Sequence, residues 1–560
     1  MTKKKVKPTF TDRLQKYFNR LNFLGLVTAA IFYCFSLLPS LLPRPWLMQG
    51  IISGVSLAIG YGIGTAGSAL ARWMLQKEPS KATKQQAWKV VKIAAPFIVV
   101  VFVVLSHSWQ NEVRTLLQVE QVDGFNIVRI AVLSVCVGVL LLLAARSLKT
   151  LHSKISRKLH RKIPKRISIV LGAGITTVLV VLVVNGFLLS TLIRAANNIY
   201  SKQNSTTSKG TLQPTDPTRT GSSASLVSWE TLGMRGRDFV ARGPSVQQMT
   251  AFSGKEAVPS VRVYIGLDSA KTAKERARLA VAELERTNAF KREVLVVATT
   301  TGSGWIEPQT VDALEYMHNG NSAFVTQQYS YLPSWISMLV DSNNAQDAGR
   351  ELFDAVYAKW SSLPEATRPK LLVYGLSLGS FGGQTAFTTL SDIERTVDGA
   401  LFVGTPGNTE LWNALTDKRD AGSPQVKPVL DGGKTVRWAS SAADLSKPSL
   451  TTEWQTPRVV YLQHASDPVV WWSPRLLLHK PDWLQETRGS DVSSKTNWFP
   501  IVTFFQVSVD QFYGVTVPNG HGHNYANDIV AAWASVAQPS EWSEQKSTSL
   551  QKIIDTYENE

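Results

Sequence analysis

Apolar residues fill five long runs in the first third of the chain, near residues 22–41, 50–70, 93–107, 127–145 and 168–192. Each approaches the ~20 apolar residues that a bilayer core demands, 93–107 being the shortest, and the pattern predicts about five transmembrane helices. After residue 228 the period changes. Short β-branched or aliphatic runs at 261–265, 294–298, 371–374, 400–403 and 459–462 read as strands, and 269–287, with apolar spacings of three and four, reads as an amphipathic helix. Strands alternating with helices imply an α/β architecture, a mainly parallel sheet covered by helices on both faces. The intervening stretch, rich in Ser, Thr, Gly and Pro, shows no hydrophobic period and reads as a linker. The division expected is therefore a basic N-terminus (1–20), a transmembrane domain (21–198), a linker (199–228), an α/β domain (229–545) and a C-terminal tail (546–560).

Charge separates the same parts. Residues 1–200 carry 26 Lys and Arg against 5 Asp and Glu, whereas residues 201–560 carry 33 against 37. The positive residues lie between apolar runs rather than on an aromatic-studded soluble surface, which argues against a nucleic-acid partner and for a bilayer. Outside the runs they alternate: 7 before the first run, then Arg44 alone, 6 from Arg72 to Lys92, Arg114 alone, and 9 from Arg146 to Arg166. Basic segments stay on the cytoplasmic side, so the N-terminus is expected inside the cell membrane and, after five crossings, the α/β domain outside it. The first run ends without a small-x-small cleavage site and is followed by further runs, which favours an anchor over a cleaved signal. A transporter would need ionisable groups within the spans, and these hold almost no acidic residues. Both cysteines, Cys34 and Cys136, fall within the runs, which leaves no disulfide framework or Cys-based zinc site for the α/β domain.

Candidate chemistry centres on Gly375-Leu376-Ser377-Leu378-Gly379, directly behind the apolar run at 370–374 and ahead of a turn-prone, helix-forming stretch. G-x-S-x-G between strand and helix holds a serine on a sharp turn above the sheet edge, so Ser377 is the candidate nucleophile. Asp467, at the end of the 459–462 strand and ahead of Pro468, is the candidate acid, with Asp417, Asp420 and Asp444 as rivals. In Gly520-His521-Gly522-His523, just before a helical pattern, His523 is the preferred base and His521 the alternate. The oxyanion donors expected are the backbone N–H of Leu378 and one from the Gly-rich loop at 299–305, around Gly302. That loop lacks a Walker ending, so a phosphate loop is the weaker reading, and no metal or organic cofactor is called for. Tryptophans at 438, 454, 471, 472, 483 and 498, among the 17 in the chain, lie between the fourth strand and the histidine loop. They suit either core packing or the walls of a lipidic acyl pocket.

Further phrases carry a resemblance: Val263-Tyr264-Ile265-Gly266-Leu267-Asp268-Ser269-Ala270, Val296-Val297-Ala298-Thr299 with Gly304-Trp305, Gln328-Tyr329-Ser330-Tyr331-Leu332-Pro333-Ser334-Trp335, the run from Tyr461 through Asp467 to Pro474, and Gly520-His521-Gly522-His523. Over about residues 20–540 the chain resembles a bacterial family of membrane-embedded α/β-hydrolases, common in actinobacteria, with a multi-span N-terminal domain. The resemblance implies a serine-hydrolase fold with its nucleophile at Ser377, although Leu376 stands where many relatives carry a polar residue. The expected activity is hydrolysis of a hydrophobic, lipidic ester through an acyl-enzyme. Acyl transfer to a cell-envelope lipid, or a scaffold that keeps the fold without the chemistry, are the alternatives.

Overall fold

The computed structural model describes residues 21–76, 80–446, 450 and 452–557, so the basic N-terminus expected at 1–20 lies outside the described residues. The chain forms two compact units. One holds the residues up to Gly186 together with Arg475–Lys480 and Ser493–Asp510; the other holds Phe187–Pro474, Pro481–Val492 and the chain from Gln511.

The helical unit contains α1 (Phe23–Ser36), α2 (Trp46–Leu75), α3 (Lys81–Leu116), α4 (Asn126–His160) and the start of α5 (Lys165–Ser205), which continues through a π-turn at Leu182–Leu189. Four of these are long and apolar enough to cross a membrane; α1, at 14 residues, is short of that length. The first expected run instead leaves the helix at Leu37 and continues as a buried non-helical segment through Leu42. Its backbone is satisfied from far along the chain. Gln506 donates to the carbonyls of Ser36 and Leu38 at 3.2 and 3.1 Å, and Asp510 accepts from the N–H groups of Leu41 and Leu42. The helix Val502–Asp510, read from sequence as part of the α/β domain, therefore belongs to the helical unit. α2 meets α4 along small residues: Gly50 lies against Leu133, and Gly54 against Ser134 and Val137, too close for a Cβ. Elsewhere α3, α4 and α5 expose apolar faces that include Phe97, Val104, Val132, Leu140 and Val170.

The second unit is built on a seven-stranded parallel sheet: β1 (Val261–Ile265), β2 (Val294–Thr299), β3 (Ser322–Gln327), β4 (Lys370–Leu376), β5 (Gly399–Val403), β6 (Val436–Ala439) and β7 (Arg458–Leu462), in the order β1-β3-β2-β4-β5-β7-β6. The strands are almost wholly buried, as a sheet covered on both faces requires. α6 (Ala273–Arg286) and α8 (Ser342–Ser361) form one layer, and α7 (Pro308–Met317), α10 (Ile529–Ala537) and α11 (Glu544–Ile554) the other; α9 is the short helix Leu378–Gly383 behind β4. Two strands escaped the sequence reading. β3 is half polar, its Gln327 amide nitrogen donating to the Ala348 carbonyl at 2.8 Å, and β6 is only four residues long.

Two expected boundaries also shift. The stretch read as a linker is fastened to the sheet unit: Arg237 donates to the carbonyls of Ser205 and Thr206, Asp238 accepts from Ser208 and Thr211, and Glu283 accepts from Thr220, Ser225 and Leu226. Buried and half-buried acceptors and donors on the sheet unit, invisible in the composition of the stretch itself, hold it there. The expected tail is α11, which buries Leu550 and Ile554 and donates from Gln551 to the Ala526 carbonyl.

Candidate active site

β4 ends at Leu376 and α9 starts at Leu378, so the chain reverses within one residue, Ser377, at φ 56° and ψ −124°. A non-glycine residue avoids that region unless its surroundings impose it. Here the Ser377 N–H donates to the Val403 carbonyl at 2.9 Å, and its carbonyl accepts from Phe381 at 3.0 Å. The flanking glycines are required by close backbone approach: a Cβ on Gly375 would fall 2.5 Å from the Gly379 carbonyl oxygen, and one on Gly379 2.2 Å from that of Thr299.

Asp467 follows β7 and is fully buried. One carboxylate oxygen accepts from the Val469 N–H at 2.8 Å; the other accepts from His523 Nδ1 at 2.7 Å and from the Tyr525 hydroxyl at 2.5 Å. Because Asp467 can only accept, Nδ1 carries the proton, which leaves Nε2 as a base. Nε2 is buried and has no hydrogen-bond partner among the described residues. The ring lies on Gly404, just past β5, where a Cβ would stand 2.5 Å from His523 Cε1. Since β5 lies between β4 and β7, the imidazole sits over the strand that separates Ser377 from Asp467.

The other candidates take different places. His521 Nδ1 faces Asp491 at 3.7 Å, and Asp491 in turn holds the Ser466 hydroxyl at 2.5 Å. Asp420 caps the N–H groups of Asp431 and Gly432, Asp444 pairs with Lys427, and Asp417 closes the helix Glu410–Asp417. The Gly302 N–H, expected as an oxyanion donor, donates to Ser334 Oγ at 3.1 Å, and that of Thr301 closes onto the Trp305 carbonyl at 3.0 Å. A turn within the loop uses the Thr301 donor, and a distant side chain uses that of Gly302. The Leu378 N–H belongs to the first turn of α9, where no intrahelical partner exists.

Three polar residues near the pair went unassigned in the sequence. Tyr525 is two positions after His523. His464, three before Asp467, bonds the Gly522 carbonyl through Nδ1 (2.9 Å) and Asp528 through Nε2 (3.0 Å), and stacks on Tyr525. Both partners accept, so both ring nitrogens carry protons; burial opposes that charge, but Asp528 and the Gly522 carbonyl outweigh it and raise the His464 pKa. Burial pushes the Glu307 carboxyl up to about 7, against the pull of the Thr310 hydroxyl and His523. Spacing from the motif was the available signal for Tyr525 and His464, while nothing local marks Glu307.

The tryptophans resolve toward packing. Trp438, Trp471 and Trp483 are buried, Trp471 against Trp412 and Trp483, and Trp454 lies under Arg437 and Arg458. Exposed apolar side chains come from elsewhere. Trp335 and Leu339 follow Ser334, the partner of Gly302; Phe512 and Val515 flank Gly514, whose carbonyl accepts the His523 N–H at 2.7 Å. Trp335 meets Phe512 edge to face at 5.1 Å. Among the described residues, no three His, Cys, Asp or Glu side chains cluster as metal ligands would.

A model of an alpha/beta-hydrolase family matches residues 261–550, just over half of the chain, and a model of the N-terminal part of that family matches residues 37–244. Neither the curated proteins nor the solved structures contain a match to the chain.

Proposed function

The chain belongs to the alpha/beta-hydrolase family, and from that premise we propose that it is a membrane-anchored serine hydrolase acting on a hydrophobic ester. The observation that carries this reading is the strained Ser377 at the end of β4, with the His523–Asp467 pair one strand away and an unpaired Nε2. In the reaction proposed, Nε2 of His523 takes the Ser377 proton as Oγ attacks the ester carbonyl. Asp467 holds the tautomer and stabilises the imidazolium, with Tyr525 supporting the carboxylate. The Leu378 N–H donates to the oxyanion. Collapse releases the alcohol, which takes the proton back from His523, and water then opens the acyl-enzyme by the same base.

The apolar residues Trp335, Leu339, Phe512 and Val515, on segments joined to the Gly302 loop and to the base, favour a hydrocarbon-bearing substrate over a polar one. Four long apolar helices with outward apolar faces support anchoring in a bilayer; basic residues cluster around the α2–α3 and α4–α5 connections, which supports placing those connections on the cytoplasmic side and the sheet unit, after the fourth crossing, on the other. The test is labelling of the detergent-solubilised protein by a fluorophosphonate, with the modified peptide located by mass spectrometry. Wild type should label at Ser377 and Ser377→Ala should not. Labelling that persists in the variant, or folded wild type that never labels, would remove the serine mechanism.

A further inference from the structure

At one end of the helical unit a cavity of about 250 Å³ lies between the loop before α2, the last turns of α3 and the first turn of α4. Its walls are mostly apolar, with Trp46, Ile127 and Ile130 among them, yet Arg44, Gln110 and Arg114 also line it. Arg44 and Gln110 are 4% and 8% exposed. Among the described residues, Nη1 of Arg44, Nε2 of Gln110 and Nε of Arg114 are buried donors with no hydrogen-bond partner. Buried donors left unpaired are costly, and three of them on residues that line one cavity ask for an acceptor.

The rest of each group is already engaged. The Arg44 backbone N–H donates to Gln110 Oε1 at 3.1 Å, which turns the amide nitrogen of Gln110 the other way, and Nη2 donates to the Leu38 carbonyl at 3.1 Å. Asp510 lies 3.6 Å from Nε and balances the charge of Arg44. Arg114 donates from Nη1 to the Glu120 carbonyl and has no carboxylate partner at the cavity; Glu112, its neighbour in sequence, is taken by Lys495 and Ser493. Among the described residues no acidic side chain lines the cavity, so it is a positively charged niche in an apolar wall. Arg129 stacks over Trp46 and Phe125 at the same end of the bundle, the aromatic and cationic belt found at headgroup depth.

We propose that this cavity binds the phosphate of an anionic lipid, with the phosphate oxygens on Arg44, Gln110 and Arg114 and the hydrocarbon leaving along Trp46, Ile127 and Ile130. The inference rests on the membrane reading of the helices and is independent of the ester chemistry. A cavity of this volume takes an anionic head and the start of its chain, and a bulky choline cap does not fit beside two guanidinium groups.

The test is native mass spectrometry of the full-length protein in detergent, titrated with dioleoyl phosphatidylglycerol, dioleoyl phosphatidylcholine or inorganic phosphate. Wild type should prefer phosphatidylglycerol to phosphatidylcholine by roughly tenfold, the scale of one charge-assisted contact. Arg44→Ala alone would strand Asp510 in the interior, so the variants are Arg114→Gln, which removes the unbalanced charge, and Ile127→Trp, which fills the space and leaves every charge in place. Both should lose the preference while keeping the wild-type unfolding temperature in detergent, which shows the protein folded. Equal binding of the two lipids by wild type, or a preference unchanged in either variant, would overturn the site. Displacement of phosphatidylglycerol by an equal concentration of inorganic phosphate would overturn its assignment to a lipid.

Discussion

Adding one methyl group at Gly404 isolates the geometry of the proposed base without touching any reacting atom. A Cβ there would stand 2.5 Å from His523 Cε1 and 2.8 Å from Nδ1, where ordinary contact begins at 3.4 Å. To relieve the overlap the ring must move by about 0.9 Å, and the 2.7 Å bond to Asp467 cannot absorb that displacement and remain well formed. Misplacement on the ångström scale costs roughly 10²-fold in turnover, so Gly404→Ala should lower kcat for a short-chain ester by that factor. The positive φ of 52° adds about 1 kcal/mol of backbone strain, enough to lower Tm by a few degrees. Gly422→Ala supplies the control. Its φ is 88° and no atom lies within 4 Å of the added Cβ, so it bears the strain without the clash. The assay is ester turnover for both variants, paired with thermal unfolding. Gly422→Ala should keep wild-type kcat. If Gly404→Ala does as well, the imidazole on Gly404 does not act in the reaction.

His523→Ala should reduce kcat by 10³-fold or more, roughly the loss seen when a triad member is removed, whereas His521→Ala, which loses only a long contact to Asp491, should retain most activity; equal effects in the ester assay would reassign the base. Glu307→Gln should alter the pH dependence of stability. A carboxyl whose native pKa of about 7 stands above its ordinary value near 4.5 has no effect on stability at low pH, and destabilises progressively as pH rises through that window. The penalty approaches roughly 3 kcal/mol above it. The variant should therefore unfold at a higher temperature than wild type at pH 8 and at nearly the same temperature at pH 4, and a gap that does not change with pH would refute the burial argument. His464 works in the opposite sense: its raised pKa adds stability that is present at low pH and lost as pH rises through the native value, so His464→Gln should flatten that alkaline loss in thermal unfolding. Trp335→Ser with Phe512→Ser should lower kcat/KM for long-chain esters and leave short-chain esters unchanged; an equal loss on both would mean that these side chains serve the fold.

Much of the proposed site was legible along the chain because its parts are local. A serine between two glycines behind an apolar strand, an aspartate-proline after a later strand, and histidines before a terminal helix are each set by short-range backbone geometry. Between His521 and His523 the chain supported a preference for the latter and no more, since the two sit two residues apart in one loop; their partners, Asp491 and Asp467, differ only in three dimensions. Gly302 misled for a related reason. A Gly-rich loop advertises free N–H groups, but Ser334, 32 residues away, takes the one expected to be free.

What the sequence by itself determined was periodic or contiguous: the apolar runs, the shift to an alternating α/β pattern, the asymmetry of charge, and the elbow. Those features express the solvent that each segment meets and the steric demands of a turn, and both act over a few residues. Tertiary structure alone decided which distant groups pair. It made a polar segment into β3, tied the Ser/Thr-rich stretch to Arg237, Asp238 and Glu283, and assigned Val502–Asp510 to the helical unit. It also set Tyr525 and His523 on one carboxylate oxygen and gathered unpaired donors of Arg44, Gln110 and Arg114 around one cavity. A buried polar group must find a partner wherever the fold brings one within reach, and no pattern in a linear chain encodes that distance.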